Sequence, residues 1–257
     1  MNQIYYELDC SAFMCYFEVH INDVCVFSLN VDGQATMDIP INSGILEKGE
    51  QNIEIRVFPL SGGKELHKES YVRYKVIEYD VSSGDFKFVQ QFENFQTAPA
   101  QKNIPFIIHK SIFMANVSYK LDAWQNGVDL KDVDFDLKKA LIKEYEEIIN
   151  ALNNKDYKLF TEKLAKKEKN AAIAMYLNSE ESKNRISKIL GELEDGFKAM
   201  PIDQNVYIEY SAHNRLATLK RLNRMPALYL ENSKTNEEIV LDVRFCGIKG
   251  STHFEIF

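Results

Sequence analysis

The stretch "FEVHINDVCVFS", residues 17–28, decides how the first half of the chain folds, because two runs of alternating apolar residues meet there at Asn22-Asp23. Alternation at period two marks a half-buried strand, and a two-residue loop between two such runs predicts a tight hairpin. Such a loop pairs Ile21 with Val24, His20 with Cys25, Val19 with Val26, Glu18 with Phe27 and Phe17 with Ser28. One face then collects Phe13, Cys15, Phe17, Val19, Ile21, Val24 and Val26, while the other carries Met14, Tyr16, Glu18, His20, Cys25, Phe27 and Leu29. The first is a core face. The second is mixed, and its Tyr16, His20 and Phe27 are candidates for an interaction surface. Two strands alone are marginal in water, so the apolar face requires more sheet to cover it.

More strands follow. "NIEIRVFP" sets Ile53, Ile55 and Val57 against Asn52, Glu54 and Arg56, and "YVRYKVIEYD", "FKFVQQFENF" and "KSIFMANVSYKL" continue the pattern. Turn residues separate them at Asp32-Gly33, Lys48-Gly49, Ser61-Gly62-Gly63 and Ser82-Ser83-Gly84. Residues 1–124 are therefore expected to form an all-β antiparallel sandwich domain. The run "VHINDVCVFSLNVDGQATMDIPINSGILEKGEQNIEIRVFP" resembles the jelly-roll sandwiches of the galactose-binding-like class. Their Leu-x-x-Gly-x-Asn turn is met here by Leu46 to Asn52, with one additional residue between Gly49 and Asn52. That class holds sugar binders, scaffolds and interaction surfaces, so the resemblance implies a jelly-roll-like fold and leaves the ligand open.

Residues 125–132 read as a linker, and after it the period changes. Leu137, Leu141, Ile142, Tyr145, Ile148, Ile149 and Leu152 recur at helical spacing, with Asp134 as the expected cap. Asp156 caps a second helix through Tyr157, Phe160 and Leu164, and Asn178-Ser179-Glu180-Glu181 supplies a capping box for a third. From Asn205 the period returns to two, in "NVYIEYSAH", "RLATLKRL", "PALYLEN", "EIVLDVRFCGI" and "THFEIF". Residues 133–257 are thus expected to be an α+β domain, its helices packed on a curved antiparallel sheet. The order of "EEIINALNNKDYKLFTEKL" and a strand-rich tail ending in "GIKGSTHFEIF" resembles the nuclear-transport-factor-like, cone-shaped α+β family. That family includes enzymes, ligand carriers and catalytically silent binding modules. The Asp or His dyad of its enzymes has no residue-by-residue match here. The resemblance implies a cone pocket, for which Tyr207, Tyr210 and Tyr229 are the candidate polar lining. Trp124, the single tryptophan, is expected to wedge the two domains together.

Composition narrows the function classes. A formal net charge of −7 argues against nucleic-acid binding, which needs a basic face to neutralise phosphate. No apolar run approaches the roughly 20 residues that span a bilayer, and "MNQIYYELDC" is not a secretory signal, so a cytoplasmic location off the membrane is expected. Cys10, Cys15, Cys25 and Cys246 lack C-x-x-C spacing and are expected to be reduced, which leaves the Asn116-Val117-Ser118 sequon idle.

Sites of chemistry are sparse. His20, His67, His109, His213 and His253 show no metal-ligand spacing, so no metal and no cofactor is expected, although His20 and Cys25 form a possible half-site for a soft metal. Gly247-Ile248-Lys249-Gly250 precedes a strand and reads as a hairpin turn where a phosphate loop would precede a helix. Lys163, Lys166, Lys167 and Lys169 read as a solvated helix face; Arg215, Lys220, Arg221 and Arg224 are candidates for contact with an acidic partner. Phe86, Phe88, Phe92 and Phe95 suit a core better than a sugar platform. The expectation is a non-catalytic bacterial module acting by protein–protein interaction, which in general build resembles the immunity proteins that neutralise contact-delivered toxins. Two alternatives stand beside it: a small apolar ligand or an enzyme site in the cone of the second domain, and carbohydrate binding through the mixed face of the first.

Overall fold

The hairpin at Asn22-Asp23 is the tip of a much longer one. In the computed structural model, which describes residues 2–100, 104–251 and 253–257, β1 (Ile4–Ile21) and β2 (Val24–Pro40) pair along nearly their whole length. Asn22 and Asp23 take φ of 52° and 65°, the left-handed pair that a type I′ turn requires. Ile21 pairs with Val24 and His20 with Cys25 as expected, and then the register slips: Val19 faces Phe27, Glu18 faces Ser28 and Phe17 faces Leu29. Val26 is the extra residue of a β-bulge. The bulge corrects the sequence reading of Phe27, which leaves the mixed face and packs on the core, its ring 5.9 Å from that of Phe17.

A second irregularity sits at Met14, whose φ is 49°. Up to that point the residues of β1 that join the apolar core are even-numbered (Tyr6, Leu8, Cys10, Ala12), and beyond it they are odd-numbered (Cys15, Phe17, Val19, Ile21). One residue in the left-handed region shifts the alternation by one, so Phe13, expected in the core row, is only half-buried.

β1 also pairs with β3 (Gly49–Phe58) through Tyr16–Ile21 and with β4 (Tyr71–Asp80) through Ile4–Phe13. β5 (Lys87–Gln96) adds to β4 and β6 (Ile107–Ala115) to β3, which completes a six-stranded antiparallel sheet in the order β5-β4-β1-β3-β6 with β2 on β1. The sheet curls until its ends meet. Tyr74 of β4 lies 2.6 Å from Ser111 of β6, hydroxyl to hydroxyl, and the rings of Phe92 and Phe113 are 5.6 Å apart. A single curled sheet therefore encloses the core of Tyr6, Leu8, Phe17, Ile21, Ile53, Ile55 and Val57.

The chain divides into two units, Met1–Leu121 with Ala174–Tyr176, and Asp122–Ile173 with Leu177–Phe257. In the second, α1 (Leu137–Asn153) buries Leu137, Leu141, Tyr145, Ile148, Ile149 and Leu152 at helical spacing. Its N-cap is Asp136, which accepts from the Lys139 N–H at 3.0 Å, where Asp134 was expected. Asp156 caps α2 (Tyr157–Ala174), and Asn178 with Glu181 forms a complete capping box for α3 (Ser179–Glu194). The strands that follow are short: β7 (Lys198–Ala199), β8 (Tyr207–Ser211), β9 (Leu216–Lys220), β10 (Tyr229–Asn232), β11 (Glu237–Val240), β12 (Phe245–Gly247) and β13 (Phe254–Ile256). They form two sheets, β11-β10-β7 and β13-β12-β9-β8. Thr252, first residue of the expected strand "THFEIF", lies outside the described residues.

Residues 122–132 are part of this second unit. Trp124 sets its ring edge-on to Phe257 at 6.3 Å, Leu130 is buried, and the Val128 N–H donates to the Gly247 carbonyl at 3.1 Å. The α2 lysines are likewise less solvated than expected. Lys163 bridges Glu144 at 2.9 Å and Glu147 at 2.7 Å, Lys166 bridges Glu255 at 2.5 Å and Asp122 at 3.4 Å, and Lys167 donates to the Asp242 carbonyl. Periodicity tells which side a long side chain leaves from, not where its ammonium ends.

Candidate functional site

Beyond Met14, the alternation of β1 that buries Phe17 and Val19 places Tyr16, Glu18 and His20 on the opposite, outer face of the sheet. The ladder brings Phe58, Arg56 and Glu54 of β3 opposite them in turn, and beyond these β6 sets Ile108 opposite Arg56, Lys110 opposite Glu54 and Ile112 opposite Asn52. The centre of this face is ionic. The Tyr16 hydroxyl donates to Glu18 Oε1 at 3.2 Å, and His20 Nε2 is 3.0 Å from Glu18 Oε2. Arg56 donates to Glu54 at 2.5 Å and reaches Asp23 at 3.5 Å, while Lys110 bridges Glu54 at 3.0 Å. Glu18 and His20 are buried beneath these neighbours.

Burial alone would raise the Glu18 carboxyl, but the bonds from His20 and Tyr16 and the nearby Arg56 outweigh it and hold it below the usual carboxylate range. Glu54 is lowered in the same way, against its own burial, by Arg56 and Lys110. Both carboxylates are therefore ionised at neutral pH.

Beside the ionic centre runs an apolar row. Rings link Tyr16 to Phe58 at 6.0 Å and Phe58 to Phe106 at 6.2 Å. From Phe106 the even-numbered residues along β6 face outward, with Ile108 47 %, Ile112 56 % and Met114 59 % exposed. Among the described residues β6 pairs only with β3, so this row sits on a terminal strand of the sheet. Edge strands are normally protected by charge, and here Lys110 is the one charged side chain on the outward row.

Of the residues singled out from sequence, Tyr16 and His20 meet on this face and Phe27 does not. Ile108, Ile112 and Met114 were missed because "FIIHKSIFM" is apolar on both alternations and does not say which row faces out. The three tyrosines are dispersed. Tyr207 is exposed and faces Lys220 on β9, Tyr210 is half-buried beneath Lys131, and Tyr229 lies in the other sheet with Arg221 stacked 4.4 Å from its ring centre. The basic candidates also separate. Arg215 precedes β9, Lys220 ends it facing Glu209 at 3.7 Å, Arg221 forms a forked pair with Glu238 at 2.9 and 2.5 Å, and Arg224 sits in the next turn with φ of 70°. Phe92 and Phe95 pack inside the curled sheet, whereas Phe86 and Phe88 are exposed. Among the described residues no three His, Cys, Asp or Glu side chains are grouped to hold a metal ion.

The second unit carries a separate polar cluster that periodicity did not indicate. Arg244 lies 2.5 Å from Asp242 Oδ2, and Lys167 reaches the Asp242 carbonyl. Burial would raise the Asp242 carboxyl, yet Arg244, Lys220 and Lys167 together press it down to about 2. Burial lowers the Lys167 ammonium. A groove of about 870 Å³ runs along the start of α1 between Phe135, Ile142, Lys163 and Phe254. Compared with protein-family models, with curated proteins and with solved structures, the chain matches none.

Proposed function

We propose that the chain is a non-catalytic recognition protein that docks a protein partner on the outer face of β1, β3 and β6. The observation that carries this reading is the exposed row Phe106, Ile108, Ile112 and Met114 lying beside the ion-paired centre of the same face. Contiguous apolar surface rimmed by polar residues marks interaction sites in soluble proteins. Acid prevails on this face, with Glu18, Asp23, Glu50 and Glu54 against Arg56 and Lys110, so the complementary partner surface is apolar with a basic rim. Glu54 is already shared between two cations and Asp23 is bridged to Arg56, which leaves the exposed Glu50 to meet that rim. The jelly-roll-like sandwich and the cone-shaped α+β domain remain the fold readings that accompany this proposal, as does the comparison with toxin-neutralising immunity proteins.

The test is a pull-down from the native cell with the wild-type chain and with the double variant Ile108→Glu, Ile112→Glu. Both side chains are outward, so the variant should keep the wild-type melting temperature. A stoichiometric partner held by wild type and lost with the variant is the expected result. A partner held equally by both, or no stoichiometric partner at all, overturns the reading.

A further inference from the structure

The ionic centre of the first unit contains an arrangement that docking does not use. His20 is 3 % exposed, its Nε2 is bonded to Glu18, and its Nδ1 is enclosed with no hydrogen-bond partner among the described residues. A buried ring nitrogen left unpaired is costly, and such groups in folded proteins call for an explanation. Glu18 fixes the chemistry of that nitrogen. An ionised carboxylate only accepts, so Nε2 carries the hydrogen and, in the neutral ring, Nδ1 presents a lone pair.

Directly across the ladder from His20 is Cys25. Cross-strand partners share a face, with Cβ atoms roughly 4.5–5.5 Å apart. Cys25 is half-buried, whereas Cys10, Cys15 and Cys246 are enclosed and burial pushes their thiols up to about 12, 11 and 11. The Cys25 sulfur rests against the Phe27 carbonyl at 3.4 Å, so a proton transfer to His20 requires it to turn from that carbonyl toward the ring.

We propose that Cys25 is a modification site, a thiol activated by His20 and Glu18 to form a mixed disulfide with a low-molecular-weight disulfide. The thiol gives its proton to His20 Nδ1, and the thiolate attacks one sulfur of R–S–S–R. A Cys25–S–S–R bond forms as the R–S–S–R bond breaks, and the departing thiolate takes the proton back from His20 to leave as R–SH. Cys25 is oxidised and the small disulfide is reduced. Glu18 holds the ring in the productive tautomer and stabilises the imidazolium, the role of the third member in any nucleophile–base–carboxylate set.

Oxidised glutathione is the probe, with intact mass and peptide mapping as the readout. The folded wild type should take one adduct, at Cys25, and none at Cys10, Cys15 or Cys246. At pH 7 the variant His20→Gln should form it at least tenfold more slowly, and at pH 10, where the thiol ionises unaided, the two rates should converge. The wild-type profile serves if that variant fails to fold. Tyr16 and Glu18 on β1, Asp23 in the turn, Glu54 and Arg56 on β3 and Lys110 on β6 surround the pair. A wild-type rate that falls by less than tenfold per pH unit on acidification is the expected mark of a thiol that hands its proton to His20 rather than to water. A slope of one decade per pH unit from 6 to 8, an unchanged rate in His20→Gln, or equal labelling of a buried cysteine overturns the proposal.

Discussion

Val19 lies opposite Phe27, one residue further along β2 than a uniform ladder from the turn would place its partner. The bulge at Val26 puts both Val26 and Phe27 against the core, so Phe27 is a packing residue. Phe27→Ala should cost about 2–3 kcal/mol, below the range for a fully buried Phe because this ring is only half-enclosed. Urea unfolding measures it; a cost under about 0.5 kcal/mol would place the ring on the surface instead. Val19→Asp, which buries an unpaired charge in the middle of that ladder, should abolish folding of the first unit.

Lys166 carries the parallel correction in the second unit. Its ammonium lies between Glu255 and Asp122 and over the ring of Phe257 at 4.7 Å, so Lys166→Asp brings a third acid against two. Surface substitutions away from such partners stay within about 0.5 kcal/mol, and this one should exceed that several-fold, by about 1–3 kcal/mol. Lys169→Asp is the control. Equal melting temperatures for the two variants would show that the bridges contribute nothing.

Acid should weaken both units through different carboxylates. Asp242 is depressed to about 2 in the folded chain, against about 3.9 when unfolded. A depressed carboxylate contributes stability that is complete above its unfolded value and lost as pH falls through the folded one. The stability difference between wild type and Asp242→Asn should therefore be constant above about pH 5 and shrink between pH 4 and 2. A difference that widens on acidification contradicts the sign. Glu18 and Glu54 are lowered too, so Glu18→Gln should flatten the acid limb of the first unit.

What could be read from sequence followed from local rules. The turn at Asn22-Asp23, the capping box at Asn178 and Glu181, and the buried stripe of α1 each depend on residues within a few positions of one another. The strands β3 and β4 were legible for the same reason. Errors arose wherever one residue altered the count, since Val26 and Met14 each shift a strand by one and period-two reasoning has no term for a bulge. Of the candidate face, Tyr16 and His20 were visible because they alternate with buried neighbours. The β6 row was not, because Ile107 to Met114 is apolar on both sides and only the curl of the sheet decides which side is inside. Lys167 and Asp242 escaped because they meet across 75 residues.

The final test concerns Asn42, whose role no spacing suggested. It follows β2 at the start of a short 3₁₀ turn, Asn42–Gly44, and is wholly buried. Its Oδ1 accepts from the Tyr6 N–H at 2.7 Å, its Nδ2 donates to the Ile4 carbonyl at 3.1 Å and the Ala174 carbonyl at 3.0 Å, and its own carbonyl accepts from the Tyr119 hydroxyl at 3.1 Å. The Tyr176 hydroxyl donates to the Ile4 carbonyl at 3.1 Å, and its ring packs 5.8 Å from that of Tyr119. One amide therefore ties Ala174–Tyr176 into the first unit. Asn42→Ala removes three side-chain bonds at once and takes from the Tyr6 N–H and the Ala174 carbonyl the partner each has in Asn42, a loss of about 1–3 kcal/mol for each group left unpaired and buried, while the Ile4 carbonyl keeps its bond from Tyr176. The variant should lose about 3 kcal/mol or more, and exchange of the Tyr6 amide hydrogen should accelerate together with that of the amides around Ala174. Tyr176→Phe, which removes the two bonds between the hydroxyl and the Ile4 backbone and keeps the ring, should cost about 1–2 kcal/mol. Unchanged exchange at Tyr6 in Asn42→Ala would mean that the segment is held by ring packing alone.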